Sequence, residues 1–210
     1  MPLLSDQKAV VHVVDDDASM REALQTLLLS IGIEALTYAT AQDFLTAAVP
    51  DAPGCLVIDI RLPDINGLDF QAQLSQMGIQ LPVVMMTGYG DIPMSVRAMK
   101  HGAVDFLPKP FKDQDMLDAV LAAIERDRQR RAIDGDVSKM RERFATLSAR
   151  EQQVMLLVTE GKMNKQVAGD LGISEITAKI HRGAAMRKMG ARTLADLVRM
   201  ADAINPRRRP

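Results

Sequence analysis

The chain has 210 residues, of which 47% are hydrophobic and 25% charged, proportions that exclude wholesale disorder. The net charge of −1 is a cancellation: residues 1–124 hold 7 basic and 16 acidic residues, residues 125–143 hold 7 and 5, and residues 144–210 hold 12 and 6. An acidic front and a basic back point to two functions, the second suited to a polyanion, and no apolar run nears the roughly 18 residues of a membrane span.

Residues 9–14 read as a strand buried on both faces. Asp17 is placed to cap a helix carrying Met20, Leu24, Leu27, Leu28 and Ile31 at helical spacing. A weak strand over residues 33–38 precedes a helix after Thr40, and residues 55–58 form a third strand. Asn66-Gly67 precedes a helix through about Met77. Residues 82–86 form a fourth strand, and Asp91 opens a helix with Pro93 in its first turn. Residues 103–107 form a fifth strand, and Leu117, Val120, Leu121 and Ile124 mark a fifth helix. Five β/α alternations predict a five-stranded, doubly wound parallel sheet over residues 1–124.

Residues 125–143 are charged and helix-permissive, with Gly135 as an interruption, and read as a solvated helical linker or a continuation of the fifth helix. Residues 144–210 are helical in pattern. Ser148-Ala149-Arg150-Glu151 is a capping box, Gly161 ends its helix, and a short helix covers residues 165–171. Ser174 caps a third helix through about Met189. Leu194, Leu197, Val198 and Ala201 mark a fourth. Two short helices around Gly172 have the form of a helix-turn-helix. The expected architecture is therefore α/β followed by all-α.

Ligands of doubly wound sheets sit at the carboxyl ends of the strands. Those ends carry Asp15-Asp16-Asp17, Asp59, Thr87-Gly88 and Lys109. Clustered carboxylates repel, and a hard cation such as Mg²⁺ relieves that repulsion. One carboxylate can attack phosphorus, a lysine offers a point charge, and a threonine hydroxyl and the Gly88 N–H can donate to phosphoryl oxygens. The set suits phosphoryl transfer to a carboxylate.

These motifs, extended by residues 57–67 (Val-Ile-Asp-Ile-Arg-Leu-Pro-Asp-Ile-Asn-Gly) and Lys109-Pro110-Phe111, resemble a receiver domain of flavodoxin-like fold from two-component response regulators. The resemblance implies that Asp59 accepts a phosphoryl group from a sensor histidine kinase. It also implies that Asp15, Asp16, Asp59 and the Arg61 main-chain carbonyl bind Mg²⁺. Lys109 would pair with the phosphoryl group, Thr87 would swing toward it, and Phe106 would follow as an aromatic switch. Dimerisation on phosphorylation would use the fourth helix, fifth strand and fifth helix.

Residues 147–203 resemble the LuxR-type helix-turn-helix, through Gly161-Lys162-Met163-Asn164-Lys165, Leu171-Gly172-Ile173-Ser174, Thr177 and Lys188-Met189-Gly190. Together the two parts resemble a FixJ-type response regulator, a non-enzymatic transcription factor for promoter DNA, with RNA polymerase as a further partner. Ile176, Ile180 and Ala184 are expected on the core face. Thr177, Lys179, His181 and Arg182 remain for a DNA groove, while Lys162, Asn164, Lys165 and Lys188 are expected at phosphates.

Two alternatives stay open. A haloacid-dehalogenase-type phosphatase also uses Asp, Thr, Lys and Mg²⁺, with its nucleophile after the first strand. A constitutive DNA-binding protein with a degenerate receiver is the other. His12 and the 14 methionines read as core, and Arg207-Arg208-Arg209 as a basic tail. Cys55 has no disulfide partner, and residues 1–6 lack the basic stretch and apolar core of a signal peptide. Both fit a reducing cytoplasm.

Overall fold

The computed structural model describes residues 8–88 and 92–205. The opening six residues, Asp91 and the Arg207–Arg209 tail, all given expectations above, lie outside the described residues. Two compact units divide the chain, one ending at Arg131 and the next beginning at Ala132.

In the first unit the elements run β1 (Val10–Val14), α1 (Ala18–Ser30), β2 (Glu34–Tyr38), α2 (Ala41–Thr46), β3 (Gly54–Asp59), α3 (Gly67–Gln76), β4 (Val83–Thr87), α4 (Ile92–Lys100) and β5 (Asp105–Pro108). The helix α5 (Asp113–Ala145) follows. The strands pair in parallel in the order β2-β1-β3-β4-β5. That order reverses direction between β1 and β3, which opens a crevice at their carboxyl ends.

The three central strands, β1, β3 and β4, are mostly apolar and buried along their whole length because both faces of the sheet are covered, while the edge strands β2 and β5 are partly exposed. Alternate side chains serve opposite cores. Val11, Val13, Cys55 and Val57 pack with Leu24 and Leu28 of α1 and Met116, Val120 and Ile124 of α5. Val14, Leu56 and Ile58 pack with Phe44 of α2, Leu68, Phe70 and Leu74 of α3, and Ala98 of α4. Burial raises the Cys55 thiol to about 12, so this cysteine is an inert core group. His12 lies among Tyr38 and Phe44, its Nδ1 3.1 Å from the Tyr38 hydroxyl, and desolvation lowers its pKa to about 4.

Several local signals take the predicted form. Asp17 caps α1 by accepting from the Ser19 N–H, and Ser148 and Glu151 form a capping box. The fifth strand lies two residues later than 103–107. Val104 already donates to the Val83 carbonyl, but the ladder proper pairs Asp105–Pro108 with Val84–Thr87.

The segment 125–143 takes the second of its two expected forms, a continuation of the fifth helix, but departs at Gly135 and in its burial. It is an uninterrupted part of α5, and Gly135 does not break it, since one helical glycine costs only about 1 kcal/mol. Nor is all of it solvated. Asp127 is fully buried, accepting from the Gly54 N–H at 3.1 Å, from Arg130 at 2.6 Å and from Arg131 at 2.7 Å. Arg131 continues to Asp51 and Arg130 to Gln80. A Cβ at Gly54 would stand 2.1 Å from the Val10 carbonyl oxygen, so only glycine fits this approach.

The second unit contains α6 (Ala149–Thr159), α7 (Asn164–Leu171), α8 (Glu175–Met189) and α9 (Leu194–Ile204). Gly172 and Gly190 end α7 and α8 at φ +63° and +76°, the left-handed conformation that releases a helix into a turn. Leu147, Val154, Met155, Val158, Val167 and Leu197 form its core with Ala178, Ala185 and Met189 of α8. Among the described residues, no helix is long and apolar enough to cross a membrane.

Candidate functional site

The crevice at the strand ends gathers the predicted polar residues. Asp15 follows β1 and is fully buried; Asp16 beside it is exposed; Asp59 closes β3 and is buried. One oxygen from each of the three carboxylates lies within 4.8 Å of the others. Lys109, directly after β5, places its Nζ 2.6 Å from both Asp15 Oδ2 and Asp59 Oδ2. The remaining Oδ1 atoms accept backbone N–H groups, Asp15 from Asp17 and Asp59 from Arg61. Both carboxylates are thereby held in one rotamer.

Burial raises the Asp15 carboxyl above the ordinary range, against the lowering pull of Lys109. Burial alone would lower Lys109, but its hydrogen bonds to Asp15 and Asp59 outweigh this and hold the ammonium above its usual value. The lysine therefore stays cationic and offsets the two acids beside it. Three convergent carboxylates with an exposed member are a donor set that fits a hard divalent cation.

The remaining predicted residues border this cluster. Thr87 is the last residue of β4 and is buried; its carbonyl accepts from the Lys109 N–H at 2.6 Å. Gly88 is exposed, and nothing lies within 4 Å of where its Cβ would stand. Phe106, in register with Met85, is half-buried against the core shared with α3 and α4. Arg61 forms an isolated antiparallel bridge with Asn66. That bridge folds the chain back on β3, so that a Cβ at Gly67 would lie 2.6 Å from the Asp59 carbonyl oxygen. Gly67 is thus a positioning residue for Asp59. The sequence placed it ahead of a helix and at the end of the 57–67 motif, without this close approach to Asp59.

The C-terminal unit places its candidates less uniformly. Lys165 and Lys179 are exposed. Thr177 shares a 2.8 Å hydrogen bond with Ser174, Arg182 donates to Asn164 at 3.3 Å, and Lys162 pairs with Asp170 at 2.8 Å. Lys188 is bound to the protein itself, 2.6 Å from Glu151, and holds that carboxylate down to about 2. His181 is half-buried.

One expectation is overturned. Ile176 and Ile180 are not core residues: they are 74% and 62% exposed, and Ala184 is only half-buried. Ala178 is the buried contact. At about 100° per residue, positions two away on either side lie about 200° round the helix, on its opposite face.

Comparison with known proteins decides the family. Residues 11–121 match the response regulator receiver domain, and residues 145–201 match the bacterial regulatory proteins of the luxR family. The chain is a two-component response regulator of the FixJ type. It is 54% identical to Nodulation protein W of Bradyrhizobium diazoefficiens over 94% of this chain and 87% of that one. Identity to the transcriptional regulatory protein FixJ of Azorhizobium caulinodans is 44%, over 91% and 90%. The solved structure of response regulator StyR superposes with a TM-score of 0.79 at 46% identity, covering 93% of this chain and 98% of that one. This response regulator is accordingly a transcription factor with a receiver and a LuxR-type DNA-binding domain. A receiver implies a sensor kinase as partner, and the LuxR-type domain implies DNA.

Proposed function

We propose that Asp59 accepts a phosphoryl group from a sensor histidine kinase in the cytoplasm, and that this modification controls binding of the LuxR-type domain to promoter DNA. The observation that carries this is the bridging of Asp15 and Asp59 by Lys109 at 2.6 Å, beside Asp16. A carboxylate oxygen of Asp59 attacks the phosphorus of a phosphohistidine. The O–P bond forms as the N–P bond breaks, and the electron pair leaves on the kinase imidazole.

Lys109 then moves its point charge from carboxylate to phosphoryl oxygen, and Thr87 and the Gly88 N–H donate to the same group. Asp15, Asp16, Asp59 and the Arg61 main-chain carbonyl would hold Mg²⁺, whose chemistry is to neutralise phosphoryl charge. Movement of Thr87 draws Phe106 inward, shifting a pre-existing equilibrium of the receiver. Dimerisation through α4, β5 and α5 then brings two helix-turn-helix units to two half-sites, where RNA polymerase is engaged.

The test is acyl-phosphate formation from acetyl phosphate with Mg²⁺. Wild type is expected to label at Asp59, and Asp59→Ala to lose all label. Label persisting on Asp15 in that variant would identify a phosphatase-type nucleophile after β1 and overturn this assignment.

A further inference from the structure

Single exposed apolar side chains are ordinary on a protein surface, but large ones grouped on one helix face and edged by charge mark a surface that is covered by a partner. Ile176 and Ile180, the two isoleucines of α8, are 74% and 62% exposed and stand one turn apart on one face. Gly183 continues the stripe into the next turn, and the space at its Cβ position is open except for Arg187 at 3.6 Å. Lys179, exposed, lies between the two isoleucines in sequence. The unit holding them has twice as many basic as acidic residues over 144–210.

An apolar stripe edged by cations matches one chemical surface in particular. The major groove is lined by polar base edges and phosphates, and its apolar feature is the thymine 5-methyl group. A phosphate-lined groove also answers the charge that a purely apolar protein partner would leave uncompensated.

We propose that Ile176 and Ile180 are specificity-determining residues that read thymine methyl groups in the major groove. This rests on α8 being the helix that enters the groove. The two residues then select thymine at two positions of each half-site, and Lys179 binds beside them without choosing a base. Their cost as exposed hydrophobes in the unbound protein is offset when the methyls cover them.

The test uses a duplex enriched by the full-length phosphorylated protein from a random-sequence pool. Each thymine is replaced in turn by deoxyuridine, which removes only the methyl. Loss at a contacted position should weaken binding about three- to fourfold, the factor given by about 0.8 kcal/mol per buried methylene. In Ile176→Ala or Ile180→Ala the same replacement should cost nothing at that residue's position while still costing wild type. Both side chains are exposed, so unchanged thermal unfolding of the variants controls for folding. A flat deoxyuridine scan with wild type, or penalties that persist in both variants, would overturn the assignment. So would variants that keep their DNA affinity but lose self-association, which would make the stripe a protein interface. Failure to enrich any duplex would instead defeat the entry of α8 into DNA.

Discussion

At the strand ends of the receiver, Asp15 and Thr87 are buried and Lys109 is held by two carboxylates, so the reactive groups are pre-positioned by the protein. On α8, Lys179, Ile176 and Ile180 stand in solvent with little to hold them. The difference follows from the two chemistries. The phosphoryl transfer proposed for the receiver needs its charges in place before the attack, and the shifts of Lys109, Thr87 and Phe106 follow it. DNA recognition needs a surface that a long polyanion can reach, and its rigidity comes from the helix beneath.

The largest expected effect tests pre-positioning. Lys109→Met removes the cation bridging Asp15 and Asp59, and phosphorylation by acetyl phosphate should slow by about 10²–10³-fold. A rate near wild type would show that the bridge is incidental.

Stability of the receiver should depend on pH through His12. Its folded pKa is depressed to about 4 from 6.5, so the unfolded chain takes up a proton that the buried ring refuses. Stability is complete above 6.5 and falls as pH drops toward 4, by about 3 kcal/mol. Urea unfolding at pH 7.5 and 4.5 should show that loss in wild type and a smaller one in His12→Leu.

Asp127→Ala should cost about 2 kcal/mol in the same assay. It orphans the Gly54 N–H, while Arg130 and Arg131 are exposed enough to be partly rehydrated. A change within experimental error would return this segment to the solvated helix the sequence suggested.

The smallest effects separate two lysines of α8. Lys179→Ala should weaken DNA binding and lower the salt slope by about one, as for a phosphate contact. Lys188→Ala should leave the slope unchanged and lower stability above pH 4.5, since its ammonium is paired with Glu151. Equal slopes for both variants would mean that the pairing breaks on DNA.

The acid pocket was legible in the sequence because a strand end is a one-dimensional landmark. Asp59, Thr87 and Lys109 each close an apolar run, and parallel strands bring such positions to one edge. The face of α8 was not legible in this way. Ile176 and Ala178 differ by half a helical turn, and apolar character favours the isoleucine as core. The close-packed junction with α6 and α7 instead takes the small residue. Asp127 was missed for a related reason. A run of arginines signals solvent, and nothing local announces that Gly54, far earlier in the chain, offers an N–H to the acid among them. Gly67 shows the same limit, since its need for glycine arises only from the return of the chain onto Asp59.

The central claim is that phosphorylation of Asp59 controls DNA binding, and affinity for the enriched duplex tests it most directly. Wild type and Asp59→Asn would be titrated with and without acetyl phosphate and Mg²⁺. The predicted result is tighter binding for phosphorylated wild type alone, with Asp59→Asn unresponsive. Equal affinity in all four conditions would contradict it and leave a DNA-binding protein whose receiver does not govern it.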